Sequence, residues 1–153
     1  MTAEERLAEL GITLPEATTP AAVYRPAVKS GNLIIVSGQV AVREGKILSP
    51  GHLGGEVSVE DGYAAARQCG INVLAAVKSV HGSLEGVRVL RTVGYVASTP
   101  DFTDHPRVVN GASELFRDVL GEDLGIGARV AFGVAALPAN SPVEVEVMLE
   151  VVS

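Results

Sequence analysis

Apolar and polar positions change period several times along the chain, and each change marks an element. Thr2 and Glu5 have capping-box spacing, which predicts a short helix ending at Gly11 with Leu7 and Leu10 on one face. Pro15 to Pro20 reads as linker. Leu33 to Ser37 (LIIVS) is a buried-strand pattern that Gln39 to Val42 extends past Gly38. A glycine inside such a run predicts a bulge or a close backbone approach. Arg43-Glu44-Gly45-Lys46 is a hairpin turn followed by a short return strand to Leu48. Ser58 and Asp61 open a helix whose stripe is Tyr63, Ala66, Gly70, Val73, Leu74 and Val77, and His81-Gly82 ends it. Val87 to Ser98 alternates as a strand, with Val87, Val89, Val93 and Tyr95 on one side, interrupted by Arg91. Asp104 and Pro106 start a second helix with the stripe Val108, Ala112, Leu115, Phe116 and Val119, closed by Gly121. Two last strands, over Arg129 to Leu137 and Val143 to Val152, read as a hairpin-like pair joined by a short Pro-containing turn, which would put Arg129 and Glu144 on adjoining strands.

The order is β-β-β-α-β-α-β-β behind a minor helix. It predicts an α+β fold, a mixed sheet with two helices on one face. A single domain is expected, with 1–20 as N-terminal helix and linker and 21–153 as core. Val130, Phe132 and Val134 alternate with Ala131, Gly133 and Ala135, so the last strand but one is apolar on both sides. The helix-free face then needs a cover from outside the chain, and the expectation is an oligomer.

Composition narrows the function classes. With 47% hydrophobic and 20% charged residues, the 153-residue chain can build a packed core. Its 18 acidic and 12 basic residues give a net charge of -6, which argues against general nucleic-acid binding. Cys69 is the single cysteine, so no internal disulfide forms, and a small core role is expected for it. The N-terminus lacks the basic start and apolar core of a signal peptide, and no apolar run reaches bilayer length; a cytoplasmic location with no membrane partner is expected. His52, His81 and His105 show no metal-ligand spacing, and GHLGG lacks the Lys-Ser/Thr ending of a phosphate loop. No metal or cofactor is called for.

The candidate chemistry lies near the end, in GARVAFGVAALPANSPVEVEVMLEVV. Arg129 opens the first run, and Glu144, Glu146 and Glu150 alternate with apolar residues in the second. Alternation by itself predicts a wet strand face. Arg129 reads either as a structural ion-pair residue or as a bidentate grip on a carboxylate. Glu144 reads either as a solvated strand residue or, desolvated in a cleft, as a proton donor with a raised pKa.

Three segments fall into one pattern: SGNLIIVSGQV, VVNGASELFRDVLG and GARVAFGVAALPANSPVEVEVMLEV. Together they resemble the RidA family, also called YjgF and formerly endoribonuclease L-PSP, from about Tyr24 to Val152. The loop after Lys46 and the N-terminal helix make the chain similar to a longer subfamily. The resemblance implies a chorismate-mutase-like fold of Bacillus type and a homotrimer whose sheets form a central barrel, with ligand sites in clefts between subunits. It implies an enamine/imine deaminase that hydrolyses small 2-imino acids such as 2-aminoacrylate to 2-keto acids and ammonia, without a cofactor. The carboxylate-gripping arginine falls on Arg129 and the acid on Glu144. The cleft tyrosine falls on Tyr24, the second-helix asparagine on Asn110, and the position two beyond the arginine on Ala131, whose backbone carbonyl is the part retained. The alternatives are a non-catalytic binder or sensor of small carboxylates, and an endoribonuclease as in the old label.

Overall fold

A computed structural model describes residues 1–20 and 22–152. Helix α1 (Ala3–Glu9) carries the capping box: the Glu5 amide donates to the Thr2 hydroxyl at 3.1 Å and the Thr2 amide to the Glu5 carboxylate at 2.9 Å. Leu7 is buried, but Leu10 is exposed, because the helix has ended before it and Leu10 serves as its C-cap. Strands β1 (Ala27–Ser30) and β2 (Leu33–Val40) form the first hairpin, and β3 (Val42–Arg43) and β4 (Lys46–Ile47) a separate small one. Glu44 and Gly45 both have positive φ, 51° and 79°, as a two-residue hairpin turn requires. The short strand β1, directly after Pro26, is the piece that the apolar pattern missed.

Helix α2 (Val59–His81) begins where Ser58 accepts the Asp61 amide at 3.1 Å, and ends at Gly82 with φ 83°. Strand β5 (Val87–Ala97) leads through α3 (His105–Leu120) and the one-turn α4 (Glu122–Gly125) to β6 (Ala128–Val134). A 3₁₀ turn at Pro138–Asn140 then returns the chain to β7 (Val143–Val151). The five-stranded sheet has the order β1-β2-β7-β5-β6, antiparallel except for the parallel β5–β6 pair that the α3 crossover makes possible.

Two expectations fail here. The last two strands read as a hairpin, yet β5 lies between β6 and β7, so Arg129 and Glu144 are not on adjoining strands. Their connection is long enough to cross β5, and the 3₁₀ turn takes up the extra chain. In β5, a register shift between Val89 and Arg91 reverses the alternation. Val87 and Val89 face the helices, and beyond the bulge so do Thr92 and Val96, while Val93 and Tyr95 turn to the opposite face. A one-residue slip of this kind inverts every later side chain.

Helices α2 and α3 cover one face of the sheet. The core between them holds Phe116, Ile34, Leu74, Val73, Val77, Val108 and Leu149, all fully buried. The second bulge, between Val36 and Gln39 in β2, follows the position of Gly38. Asn72 of α2 pins that end of the strand by donating to the Val40 and Val42 carbonyls at 3.1 and 2.9 Å. The other face carries no helix and exposes Val28, Ile35, Met148, Val130 and Phe132. No helix among the described residues is long and apolar enough to cross a membrane.

Candidate functional site

Arg129 stands near the start of β6, the edge strand. It pairs with buried Thr92, so its side chain leaves on the helix face. Nη1 donates to Asn110 Oδ1 at 2.7 Å and to Ser113 Oγ at 3.3 Å, and Nη2 to the Pro106 carbonyl at 3.4 Å. These three partners lie along one stripe of α3, at the three- and four-residue spacing that aligns side chains on a helix. Nη1 is thereby occupied. Nε and the second proton of Nη2 have no protein acceptor among the described residues, and no described carboxylate lies within 4.0 Å of the guanidinium. That free edge is the side-on fork that a carboxylate fits with two parallel hydrogen bonds. Beside it is a hollow of about 180 Å³ lined by Thr92, Ser113, Phe116, Ile126 and Arg129.

Ala131 follows one pleat beyond Arg129 on the same face, half-buried and packed against the core. Because β6 has a neighbour on one side only, alternate backbone groups along it point outward unpaired.

Glu144 sits elsewhere. It pairs with Tyr95 and with Val40, which places it on the helix-free face, half-buried. Its carboxyl lies over Gly38, where a Cβ would stand 2.9 Å from Cδ and 3.2 Å from Cγ. Burial raises its pKa above the ordinary value for a glutamate, and the neighbouring Glu146 raises it further. Glu146 accepts a hydrogen bond from the Tyr95 hydroxyl. That bond, with burial, pushes the phenol up to about 12. The Tyr95 ring meets Phe132 edge-on, with centroids 5.3 Å apart, so Glu144, Tyr95 and Phe132 form one row across this face. Tyr24 is exposed and precedes β1, at the sheet edge opposite β6.

One chain therefore brings Arg129, Asn110 and Ala131 together on one face of the sheet. It leaves Glu144 and Tyr24 apart from them, Glu144 on the other face. The sequence reading missed Ser113 and the Pro106 carbonyl as holders of the arginine; the spacing of Pro106, Asn110 and Ser113 on one helix was the available signal. Among the described residues, no group of three or more His, Cys, Asp or Glu side chains is placed to hold a metal ion. Cys69 is fully buried, and burial raises its thiol pKa well above the ordinary value.

The family profile described as "YjgF/chorismate_mutase-like, putative endoribonuclease" matches residues 4–151. The chain belongs to the YjgF family. The α+β architecture described above is the YjgF/chorismate-mutase-like fold. Among YjgF-like relatives, Protein TCP17 of Trypanosoma cruzi is 41% identical over 145 residues, covering 94% of this chain and 91% of that protein. The crystal structure of Atu1372, a protein of unknown function from Agrobacterium tumefaciens, is 45% identical. It superimposes with a TM-score of 0.89 over 97% of this chain and 92% of its own. The E. coli YjgF gene product is 28% identical with a TM-score of 0.61, covering 90% of this chain and 97% of that one. The chain thus lies nearer in shape to the Atu1372 structure than to the E. coli protein.

Proposed function

We propose that the protein is a homotrimeric deaminase that hydrolyses small 2-imino acids to 2-keto acids and ammonia. The observation that carries this reading is the Arg129 guanidinium, held by Asn110, Ser113 and the Pro106 carbonyl with its Nε–Nη2 edge free. A substrate carboxylate seated on that edge fixes the adjoining imine carbon over β6, near Ala131. Water adds to the C=N carbon, and the resulting carbinolamine loses ammonia as its C–N bond breaks. The departing nitrogen needs a proton, and a carboxyl whose pKa is raised by burial, such as Glu144, is suited to supply it. A simple imine is reactive enough for positioning and one proton donor to suffice.

Glu144 and Arg129 of the same chain face opposite ways, so we assign them to one site across a boundary between copies. The β6 edge of one subunit meets the helix-free face of the next, bringing Glu144 and Tyr24 of that subunit to the trough beside Arg129. The exposed Val28, Ile35, Met148, Val130 and Phe132 supply the apolar area such a contact buries. The separation of Glu144 from Arg129 also favours a second reading, a binder of small carboxylates that uses the arginine alone. The endoribonuclease reading needs a basic footprint, which a chain of net charge -6 does not provide in general.

The test couples the purified protein to a dehydratase and times imine loss. The deaminase reading expects acceleration that both Arg129→Ala and Glu144→Gln remove. A binder keeps its ligand affinity in Glu144→Gln and never accelerates imine loss. Absence of acceleration by an intact trimer refutes the enzyme.

A further inference from the structure

A larger groove, of about 810 Å³, lies apart from Arg129 and shares no lining residue with the hollow beside it. The chain between α1 and β1 forms one wall, with Ile12 and Leu14 half-buried in it. The β3–β4 hairpin and Leu48, just after it, form a second wall. Helix α2 supplies the third with Arg67, Gln68 and Ile71, whose spacing keeps them on neighbouring stripes of the helix. Sites for small organic ligands span roughly 300–1,000 Å³, and this groove falls in that range.

Its polar groups are left unsatisfied by the chain. Gln68 is only 8% exposed, and its Nε2 donates to Asn72 Oδ1 at 3.1 Å. Asn72 Nδ2 already donates to the Val40 and Val42 carbonyls, which fixes the Asn72 oxygen toward Gln68. Gln68 must therefore present its nitrogen there and its Oε1 elsewhere. That oxygen has no protein partner among the described residues and is not sealed in the core, so it opens on the groove. A nearly buried carbonyl without a donor is unfavourable, and a ligand N–H relieves it. Charges of both signs line the same space: Arg67, half-buried, and Arg43, Glu16 and Glu44, exposed. None of these four forms an ion pair within 4.0 Å among the described residues. Opposite charges that share a groove without pairing suit a ligand that carries both signs itself.

We infer that this groove is a binding site for an aliphatic dipeptide with both termini free. The carboxylate pairs with the Arg67 guanidinium, the charge-assisted contact that an arginine favours. The peptide N–H beside that carboxylate donates to Gln68 Oε1, which the next residue of the helix places close by. The ammonium group turns to the acidic side chains of Glu16 and Glu44. The two aliphatic side chains cover Ile12, Leu14, Leu48 and Ile71. A single amino acid offers an ammonium and a carboxylate only a few ångströms apart and too little apolar surface for a groove of this size. The site does not involve Arg129 and stands independently of the deaminase reading.

The experiment titrates the full chain calorimetrically with the dipeptide Leu-Leu, its N-acetyl and C-amide derivatives, and free leucine. Leu-Leu should bind, and each capped derivative should bind about tenfold or more weakly, since each lacks one charge-assisted contact. Leucine should bind more weakly than the dipeptide. Arg67→Ala, a change at a half-buried side chain without a protein partner, should weaken Leu-Leu about tenfold and leave the C-amide derivative unaffected. Gln68→Met should weaken both, and its melting temperature shows whether the Asn72 contact has been lost with it. Arg129→Ala should bind Leu-Leu like the wild type, and Arg67→Ala should leave imine hydrolysis unchanged. No binding of Leu-Leu at millimolar concentration overturns the inference. So does equal binding of the free and capped dipeptides, or leucine binding as tightly as Leu-Leu. Binding that survives Arg67→Ala and disappears in Arg129→Ala places the peptide at the other site and overturns it as well.

Discussion

Adding one methyl group at Gly38 tests the seat of Glu144. Gly38 is absent from the positions with positive φ, so alanine is acceptable to the backbone. The difficulty lies in the space. The new Cβ would stand 2.9 Å from Glu144 Cδ and 3.2 Å from Cγ, both inside van der Waals contact. The obstacle is the end of a flexible side chain, so Glu144 should swing away while the sheet stays in register. Overpacking costs about 1–3 kcal/mol, and the low end applies where one exposed-side rotamer relieves it. Chemistry should suffer much more. A positioned proton donor contributes about 10²–10⁴-fold, so Gly38→Ala should approach Glu144→Gln in its loss of kcat. Thermal unfolding and steady-state imine hydrolysis on the same preparation separate the two effects. A variant that melts within a few degrees of wild type and keeps its full rate, while Glu144→Gln loses it, would refute the reasoning.

Glu144 also carries a pH signature. Its pKa is raised in the folded chain, so its contribution to stability is present at low pH and is lost as pH rises through the raised value. Glu144→Gln should therefore gain stability relative to wild type as pH rises above the ordinary glutamate range, measured by denaturant unfolding, and the wild-type rate should fall over the same rise. Asn110→Ala removes the shortest hold on Arg129, 2.7 Å, and should weaken binding of a small 2-keto acid about fivefold with the melting temperature nearly unchanged. Phe116→Ala, at a fully buried site between α3 and the sheet, should cost about 3–5 kcal/mol in denaturant unfolding.

Local signals in the sequence carried most of the fold. The capping box at Thr2 and Glu5, the Ser58 and Gly82 ends of α2 and the stripe from Val108 to Val119 all appear where spacing put them. Gly38 marked both a bulge and a close approach. What stayed hidden is non-local. Nothing in the run from Arg129 to Val152 says that β5 inserts between its two strands, since pairing partners are chosen by the sheet. The bulge after Val89 is equally silent, because an extra residue in a strand leaves no compositional mark when its neighbours are Leu90 and Arg91. Arg129 and Asn110 were legible as a candidate pair through the family resemblance. That Glu144 faces the other way follows only from the register.

Subunit complementation tests the shared site most directly. Arg129→Ala and Glu144→Gln chains, each inactive alone, are mixed, unfolded and reassembled together. If the arginine of one copy works with the glutamate of the next, random trimers regain activity at about one quarter of their sites, since each intact site needs one particular chain on either side. Mixed trimers that assemble normally and stay inactive would contradict a site built between copies.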